Sequence, residues 1–398
     1  MFKDKFPIFQ NKDLVFLDSA ASTQKPACVL EVLSEFYKNQ YSNVHRGNCK
    51  LANEATTQYE KARKIVADFI NAPEKQVVFT KGATESINLV ANGYRKILEK
   101  GDEILVCVAE HHANFVPWQQ IAFETGAKFV VFDVLDNGEI DMADFTAKLN
   151  KRTKLVAVSQ FSNVLGIKNQ LTEIIYMAHK VGAQVLVDGS QSVAHQKTDV
   201  VALDADYFVF SGHKLYGPTG IGVLYGKKEA LESLSPYQYG GDMVHLVSIE
   251  ETLFKEAPYK FEAGTPPFAQ AIALAAAISF LNKISMDVVE EKEKKLTAYL
   301  LNQLSKIPEI EILAPNDKKQ GIVSFVIQNI HPSDIAFALA EQNICVRVGH
   351  HCAMPLHTRF KKDVTLRVSL GIYNDMQDID LFIEALIKSI NLFKGYFK

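Results

Sequence analysis

Short apolar runs that alternate with amphipathic stretches are the feature of this sequence that most limits its fold. Between residues 77 and 225 the runs of strand length are 77–80, 103–108, 129–132, 155–159, 185–188, 207–210 and 221–225. Helical patterns fit between several of them, at 84–98, 142–149 and 171–181. Buried strands separated by helices are typical of an α/β domain with a mostly parallel sheet. In such sheets ligands bind beyond the carboxyl ends of the strands.

The flanking regions predict further parts, as expected for a chain of 398 residues. At the start, an extended segment at 14–18 precedes a helix that opens near Pro26, and Asn53 is predicted to cap a second helix. Residues 240–267 are rich in glycine and proline and lack a period, which indicates a crossing segment. The rest predicts two helices and then a small α+β unit, with helices at 268–281, 287–304, 333–341 and 376–393 and strands at 310–313, 322–328, 344–348 and 364–369.

Composition narrows the class of partner. The net charge of -3 gives no reason to expect nucleic acid or a membrane surface, and no apolar run approaches the roughly 20 residues that span a bilayer. The first residues lack the apolar core of a secretory signal. The five cysteines are scattered and odd in number, which favours a reducing compartment, with the cytoplasm as the default, and a free thiol.

Lys214 follows one predicted strand, 207–210, and precedes another, 221–225. An ammonium held between buried strands is costly to desolvate without a partner. It either reaches water or forms a Schiff base with an aldehyde cofactor. Asp188 ends the neighbouring predicted strand, where a carboxylate could pair with a pyridinium nitrogen or simply cap a helix.

Two turns after other strands could also serve a cofactor. Residues 81–86 join a strand to a helix and include a glycine and hydroxyl side chains, which suit a phosphate; a plain capped turn is the competing interpretation. In the turn 110–114, His111 could stack on an aromatic ring or carry protons, or it could be an ordinary exposed histidine. The glycines of 217–222 precede a strand, whereas a dinucleotide-binding fingerprint follows a strand and opens a helix. They instead predict that the backbone passes close to the group that Lys214 holds.

The C-terminal unit carries a glycine-flanked, histidine-rich loop around Cys352. Nearby histidine or arginine raises the thiolate character of a cysteine, so Cys352 is a candidate nucleophile. The histidine and cysteine positions 350–352 lack the spacing of zinc ligands, and no metal is predicted. Arg367, on a short strand, needs an anion: either a substrate carboxylate, bound in a bidentate fork, or a structural salt bridge.

Taken together, these motifs resemble the cysteine desulfurases of the class V aminotransferase family, which are fold-type I enzymes dependent on pyridoxal phosphate. The match is closest to the group II branch and covers nearly the whole chain. It rests on the segments 17–21, 44–47, 82–85, 110–114, 162–166, 188–191, 211–214, 261–266 and 347–352.

The resemblance implies a role for each matching residue. Lys214 would hold pyridoxal phosphate as a Schiff base, Asp188 would pair with the ring nitrogen, His111 would stack on the ring and Gln191 would reach the ring hydroxyl. The phosphate would be held by Thr84, Ser211 and His213, and by Thr265 from the other subunit of a homodimer. Ala83 stands where many relatives have threonine, so it would offer the phosphate only its backbone. Substrate would meet Asn163, Arg367, Arg347, His45 and Arg46.

The implied reaction converts L-cysteine to L-alanine, with Lys214 taking the α-proton, His111 carrying a proton and Cys352 becoming a persulfide. A SufE-type or SufU-type protein would collect that sulfur, for example for iron–sulfur cluster assembly. A selenocysteine lyase is the alternative within the family, and a non-catalytic sulfur-carrier scaffold the alternative outside it. The implied fold has a large domain at 18–260, with a mostly parallel seven-stranded sheet, and a small α+β domain at 261–398. The arm 1–17 would pack against that small domain.

Overall fold

The computed structural model of the chain describes residues 2–10 and 12–396. Its strands are β1 Val15–Phe16, β2 Val77–Thr80, β3 Glu103–Cys107, β4 Lys128–Phe132, β5 Thr153–Ser159, β6 Gln184–Asp188, β7 Tyr207–Ser211, β8 Gly222–Gly226, β9 Val244–Val247, β10 Thr252–Phe254, β11 Ile310–Ile312, β12 Ile322–Ile327, β13 Ile344–Cys345, β14 Arg347–Gly349 and β15 Thr365–Ser369.

Helices connect and cover these strands. They are α1 Ala27–Glu35, α2 Lys50–Phe69, α3 Ala83–Tyr94, α4 Val116–Thr125, α5 Met142–Lys148, α6 Leu171–Lys180, α7 Ser192–His195, α8 Val200–Leu203, α9 Lys228–Ser233, α10 Phe268–Ile284, α11 Met286–Leu304, α12 Pro332–Ala340, α13 Met354–Arg359 and α14 Met376–Tyr396.

The large sheet confirms the predicted α/β architecture. Its seven strands run in the order β2-β8-β7-β6-β5-β3-β4. The pairings from β4 to β7 are parallel, and only β8 runs antiparallel to its neighbours. Alternate residues of β3 enter separate apolar clusters, Leu105 with the cluster that includes α2, α6 and α10, and Ile104 with the cluster that includes α3 and α4. The sheet is therefore covered on both faces, as its apolar runs require.

A second sheet forms the core of the C-terminal unit. Its order is β11-β12-β15-β14, and all three pairings are antiparallel. The short strand β1 pairs in parallel with β13, so the beginning of the chain lies against this unit. That pairing supports the division into an arm at 1–17, a large domain at 18–260 and a small domain at 261–398, which we propose for this chain; Met1, Asn11 and residues 397–398 lie outside the described residues.

Two sequence predictions about local structure were wrong. Asn53 does not cap α2, because the helix begins one turn earlier at Lys50 and the N–H of Asn53 donates to the carbonyl of Cys49 at 3.1 Å. Residues 240–267 are not only a crossing segment, because β9 and β10 form an antiparallel hairpin there. Leu246 and Leu253 of this hairpin are each 49% exposed, so its strands lack the alternation of buried and polar residues that reveals a strand.

In the part of the chain that the structure describes, no single helix is both long and apolar enough to cross a membrane. Helices α10 and α11 meet that standard only if they are joined, and they are bent by 76° where they meet.

Candidate functional site

The candidate site lies at the carboxyl ends of neighbouring strands in the large sheet. Asp188 is the last residue of β6, and Lys214 ends the short turn that follows β7, the adjacent strand. Parallel strands end at the same edge of a sheet, so the predicted juxtaposition of these two residues is present. The electrostatic influence of Asp188 on Lys214 reflects their proximity.

Among the described residues, Lys214 has no partner that would neutralise its charge by direct contact. No hydrogen bond or ion pair joins its Nζ to any described residue. Burial lowers the pKa of its ammonium, and the positive charges of Arg367 and Arg347 act in the same direction, against Asp188 and Cys352. An amine that is easier to deprotonate and is free of partners is suited to react with an aldehyde.

Asp188 accepts one hydrogen bond from the described residues and has a second carboxylate oxygen to which none of them donates. It is 7% exposed, its Oδ1 accepts the N–H of Ser190 at 2.9 Å, and no described residue donates to Oδ2. The hydroxyl of Ser190 beside it is buried and has no partner among the described residues. A buried carboxylate with a spare acceptor position fits a cationic ring nitrogen.

The turn before α3, called the cradle below, has features that suit the phosphate site predicted there. The N–H of Ala83 donates to Oγ of Ser211 at 2.9 Å, which joins this turn to the end of β7. The first N–H groups of a helix have no partner within the helix, so those of Thr84 and Glu85 are available to an anion. Thr84 is exposed and lines a cavity of about 570 Å³ together with His111.

A close approach of two backbone segments shapes this cradle. A Cβ placed on Gly222 would lie 2.3 Å from Cα of Gly82. The glycines around 217–222 were expected to give room to a bound group; the structure shows that Gly222 gives room to the backbone of the phosphate turn, and Gly217 to the carbonyl of Gly212.

His111 is present as a neutral ring. Burial, followed by the positive charge of Lys214, lowers its pKa to about 3. Its Nδ1 accepts the N–H of Ala113 at 3.1 Å, so the neutral ring carries its proton on Nε2. Nε2 is therefore the atom of His111 that can meet a substrate.

Glu110 fixes the turn that carries His111. The sequence did not identify this residue as functional. This side chain is fully buried and accepts from Asn114 Nδ2 at 2.6 Å and from the N–H of Ser159 at 2.7 Å. Burial raises the pKa of Glu110 to about 8. A carboxyl group directly before a histidine, after an apolar strand, is a signal that could have suggested such an anchor.

Arg367 forms the structural salt bridge, which was one of the two partners considered for it, and leaves part of its guanidinium without a partner among the described residues. Its Nη2 donates to Asp18 at 2.8 Å, which is the structural salt bridge, and its Nη1 donates to the carbonyl of Asn163 at 3.1 Å. Its Nε is buried and has no partner among the described residues. Asp18 lay inside a recognised motif, but its pairing could not be seen because 349 positions separate the two residues.

The Cys352 loop lies against the same site. Cys352 is partly buried, and its backbone has a positive φ of 57°, next to His351 with a φ of 50°. Asn163 Nδ2 donates to the carbonyl of His351 at 2.8 Å. One asparagine therefore contacts both the arginine and the loop of the predicted nucleophile.

The remaining predicted site residues are placed less closely together. Gln191 is buried and donates to the carbonyl of Ala20 at 2.9 Å. The pKa of His213 is lowered to about 4 by burial and then by Lys214. Thr265 is exposed.

His45 and Arg46 lie in another cluster. His45 contacts Glu60 at 2.7 Å and Asp242 at 3.5 Å, and Arg46 contacts Asp242 at 3.7 Å. Within the described chain neither makes a hydrogen bond or ion pair with another predicted site residue. The described residues also contain no group of three or more His, Cys, Asp or Glu side chains positioned to hold a metal ion.

Comparison with known proteins places these features in context. Residues 15–382 match the family model described as aminotransferase class-V. A protein of Vibrio cholerae serotype O1 named probable cysteine desulfurase is 45% identical over 98% of this chain and 97% of its own length.

Two solved structures are similar throughout. The cysteine desulfurase CsdA of Escherichia coli has a TM-score of 0.93 and 42% identity, covering 98% of both chains. The apo cysteine desulfurase of Thermococcus onnurineus NA1 has a TM-score of 0.94 and 38% identity, covering 99% of this chain and 97% of the other.

Proposed function

Because the chain belongs to the class-V aminotransferase family, whose members use pyridoxal phosphate, we propose that it is a cysteine desulfurase that converts L-cysteine to L-alanine. In this proposal the sulfur passes to Cys352 as a persulfide. The similarity to cysteine desulfurases along almost the whole chain supports the activity. The observation that carries the residue assignment is that Lys214, which has no partner among the described residues and follows a strand of the large sheet, is under the electrostatic influence of Cys352 and Arg367 from the C-terminal unit.

The residues present fit the cofactor. Lys214 would bind the aldehyde carbon of the cofactor, and the free oxygen of Asp188 would face the ring nitrogen. Gln191 would contact the ring hydroxyl, and His111 would stack on the face of the ring. The phosphate would lie at the start of α3, at the N–H groups of Thr84 and Glu85 and the hydroxyls of Thr84 and Ser211, while the N–H of Ala83 holds Ser211 Oγ in place. His213, and Thr265 from a second copy of the chain, would complete this anchor. When bound, pyridoxal phosphate supplies an electron sink conjugated to the α-carbon of the amino acid.

The substrate carboxylate would bind at Arg367 and Asn163. Asp18 fixes the orientation of the guanidinium and leaves its Nε free to donate. Arg347, opposite Arg367 in the β14–β15 pairing, adds a second positive charge. An anion near two guanidinium groups is stabilised, and a planar guanidinium selects the planar carboxylate.

Proton transfer is assigned to Lys214 and His111. With the substrate bound, the amine of Lys214 would remove the α-proton, a role that the lowered pKa of this lysine favours. Nε2 of His111 would hold a proton for the leaving or attacking sulfur, because Nδ1 already accepts the N–H of Ala113.

Cys352 then acts as the nucleophile. Its thiolate attacks the sulfur of cysteine, so a new S–S bond forms while the C–S bond breaks, and the electron pair of that bond remains with the carbon skeleton. Two protons added to that skeleton complete alanine. The thiol and cysteine together thus give alanine and a persulfide, with no outside oxidant or reductant.

Several finer points are part of the proposal. A homodimer would bring Thr265, His45 and Arg46 to a neighbouring site, in keeping with the lack of hydrogen bonds and ion pairs between them and the other predicted site residues of the described chain. A sulfur acceptor of the SufE or SufU type would collect the persulfide sulfur, for example for iron–sulfur cluster assembly. All five cysteines are free, and Cys352 must stay so to react, which supports a reducing location such as the cytoplasm.

Mass spectrometry of the protein after treatment with L-cysteine tests the proposal. We expect a gain of one sulfur atom on the peptide that contains Cys352, reversed by a thiol reductant and missing in Cys352→Ser. The matched control Cys49→Ser removes an exposed thiol outside the site and should keep the adduct. Alanine production that persists in Cys352→Ser without any protein persulfide would contradict the desulfurase assignment.

A selenocysteine lyase remains the second candidate, because a selenolate leaves carbon more readily than a thiolate and needs less help from Cys352. Turnover of both amino acids by Cys352→Ser separates the two functions. A scaffold without catalysis would give no visible cofactor absorption and no dependence on Lys214.

A further inference from the structure

His112 has no role in the proposed reaction, yet it makes two hydrogen bonds to the loop that carries the nucleophile. Its backbone N–H donates to the carbonyl of Cys352 at 2.6 Å. Its ring Nε2 accepts the N–H of Met354 at 3.1 Å. The two hydrogen bonds therefore hold the backbone of Cys352 and of Met354, the residues directly before and after Ala353.

We propose that His112 is a positioning residue for Cys352, which clamps the nucleophile loop at a fixed distance from the ring-stacking residue His111. This inference rests on the proposed function. It adds a residue that touches neither substrate nor cofactor and acts through the backbone on either side of the thiol.

The loop needs such a clamp because its backbone is strained. His351 and Cys352 both have positive φ, at 50° and 57°, and the left-handed region is unfavourable for residues other than glycine. Consecutive residues of this kind persist only where the surroundings hold them. Asn163 holds the carbonyl of His351 at 2.8 Å, and His112 holds the next carbonyl and the following helix start.

The clamp also links two parts of the site that are distant in sequence. His112 directly follows His111, so the ring over the cofactor and the grip on the Cys352 loop belong to one short turn. Glu110 anchors that turn from beneath through Asn114 and Ser159. Any shift of this turn therefore moves the ring of His111 and the thiol of Cys352 together, so the distance between them stays the same.

The ring of His112 must be neutral to accept from Met354. Burial, and then the charge of His350, lower its pKa and favour that form. A simpler interpretation is that His112 only caps the short helix α13, whose first N–H groups lack partners within the helix. That interpretation predicts a loss of stability but no specific effect on the thiol.

The variants His112→Phe and His112→Gln separate these interpretations. Phenylalanine keeps a ring but cannot accept a hydrogen bond, whereas the glutamine Oε1 can still accept from Met354. Turnover of L-cysteine, which requires Cys352, is compared with turnover of L-selenocysteine, which requires it less. His331→Asn, at an exposed histidine that caps α12, serves as a control because asparagine is also a good cap.

We expect His112→Phe to lose at least about tenfold in kcat for cysteine, since a misplacement of about 1 Å can cost about 100-fold. Selenocysteine turnover should change by much less, and His112→Gln should restore most of the cysteine rate. An equal loss for both substrates, or no loss for cysteine, would overturn the proposal.

Alkylation by iodoacetamide provides a readout that needs no turnover. The rate at Cys352, measured by mass spectrometry relative to the exposed Cys49 of the same sample, should rise in His112→Phe because the released loop exposes the thiol. If the unaltered protein turns over neither amino acid, the proposed function fails and this ratio alone decides the clamp. A ratio unchanged by His112→Phe then refutes it.

Discussion

Arg347 and Arg367 stand directly opposite each other in the antiparallel pairing of β14 and β15. Like charges in facing positions repel, and Asp18 neutralises only Arg367. None of the described residues forms an ion pair with Arg347. The site therefore presents an excess of positive charge where the substrate carboxylate is proposed to bind.

Arg367→Lys tests that binding. Lysine keeps the charge but loses the planar fork, and a hydrogen bond to a charged group contributes about 1.5–3 kcal/mol. We expect kcat/KM for cysteine to fall by about 10- to 100-fold, mainly through KM. Asp18→Asn is the companion variant, since it keeps an acceptor for the guanidinium and should cause a smaller loss. An unaltered KM in Arg367→Lys would place the carboxylate elsewhere.

Lys214→Ala should abolish covalent attachment of the cofactor. The measurement is the intact mass after addition of pyridoxal phosphate and reduction with borohydride, which traps a Schiff base as a stable adduct. Lys228→Ala, at a lysine whose side chain is 70% exposed, should keep the adduct. Trapping of an equal amount in Lys214→Ala would show that another lysine holds the aldehyde.

The free energy of unfolding should decrease as the pH falls below the pKa of a free histidine, because buried histidines of the site are held neutral. Burial, followed by the charge of Arg367, lowers the pKa of His351 to about 2, so the unfolded chain binds a proton there that the folded chain does not. Each such group removes about 1.4 kcal/mol per pH unit below its unfolded pKa of about 6.5. The loss runs from there down to the folded pKa.

His351→Asn isolates this effect. The decrease in unfolding free energy from pH 7 to pH 5, measured by urea denaturation, should be smaller than in the unaltered protein by about 2 kcal/mol. His45 has the opposite sign, because Glu60 raises its pKa, and its contribution is lost as the pH rises. His45→Asn should therefore not reduce the acid sensitivity; a reduction equal to that of His351→Asn would contradict the assignment.

Gly222→Ala should disturb the phosphate cradle by crowding. The added methyl would lie 2.3 Å from Cα of Gly82, and overpacking of this kind costs about 1–3 kcal/mol. Chemical denaturation and titration with pyridoxal phosphate should show a less stable protein with weaker cofactor affinity. In Gly240→Ala the nearest atom is 3.8 Å away, so that variant should resemble the unaltered protein in both respects.

The sequence predicted well those features that depend on local pattern. The large-sheet strands were recognised because each is an apolar run, largely buried in all but the edge strand β4. The polar residues after them, such as Asp188 and Lys214, then had to meet at one edge. The hairpin of β9 and β10 was missed because its side chains are exposed, and exposure removes the period that marks a strand.

Features that depend on distant contacts could not be predicted from pattern. Asp18 was visible as part of a motif, but nothing local pairs it with Arg367. His112 was visible beside His111, but its hydrogen bonds depend on where a loop 240 residues later returns, as the separation of 242 positions from Met354 shows. Such contacts are fixed by the packing of the two sheets, which a single sequence does not reveal.

The Asp18–Arg367 pair also bears on when the enzyme becomes active during synthesis. The two residues are 349 positions apart, and β1 beside Asp18 completes its pairing only when β13 has been made. A nascent chain emerging from the ribosome could fold its large sheet first, but Arg367, the residue proposed to bind the substrate carboxylate, would be neither present nor oriented until the last part of the chain had appeared. Sulfur release would then be confined to finished molecules.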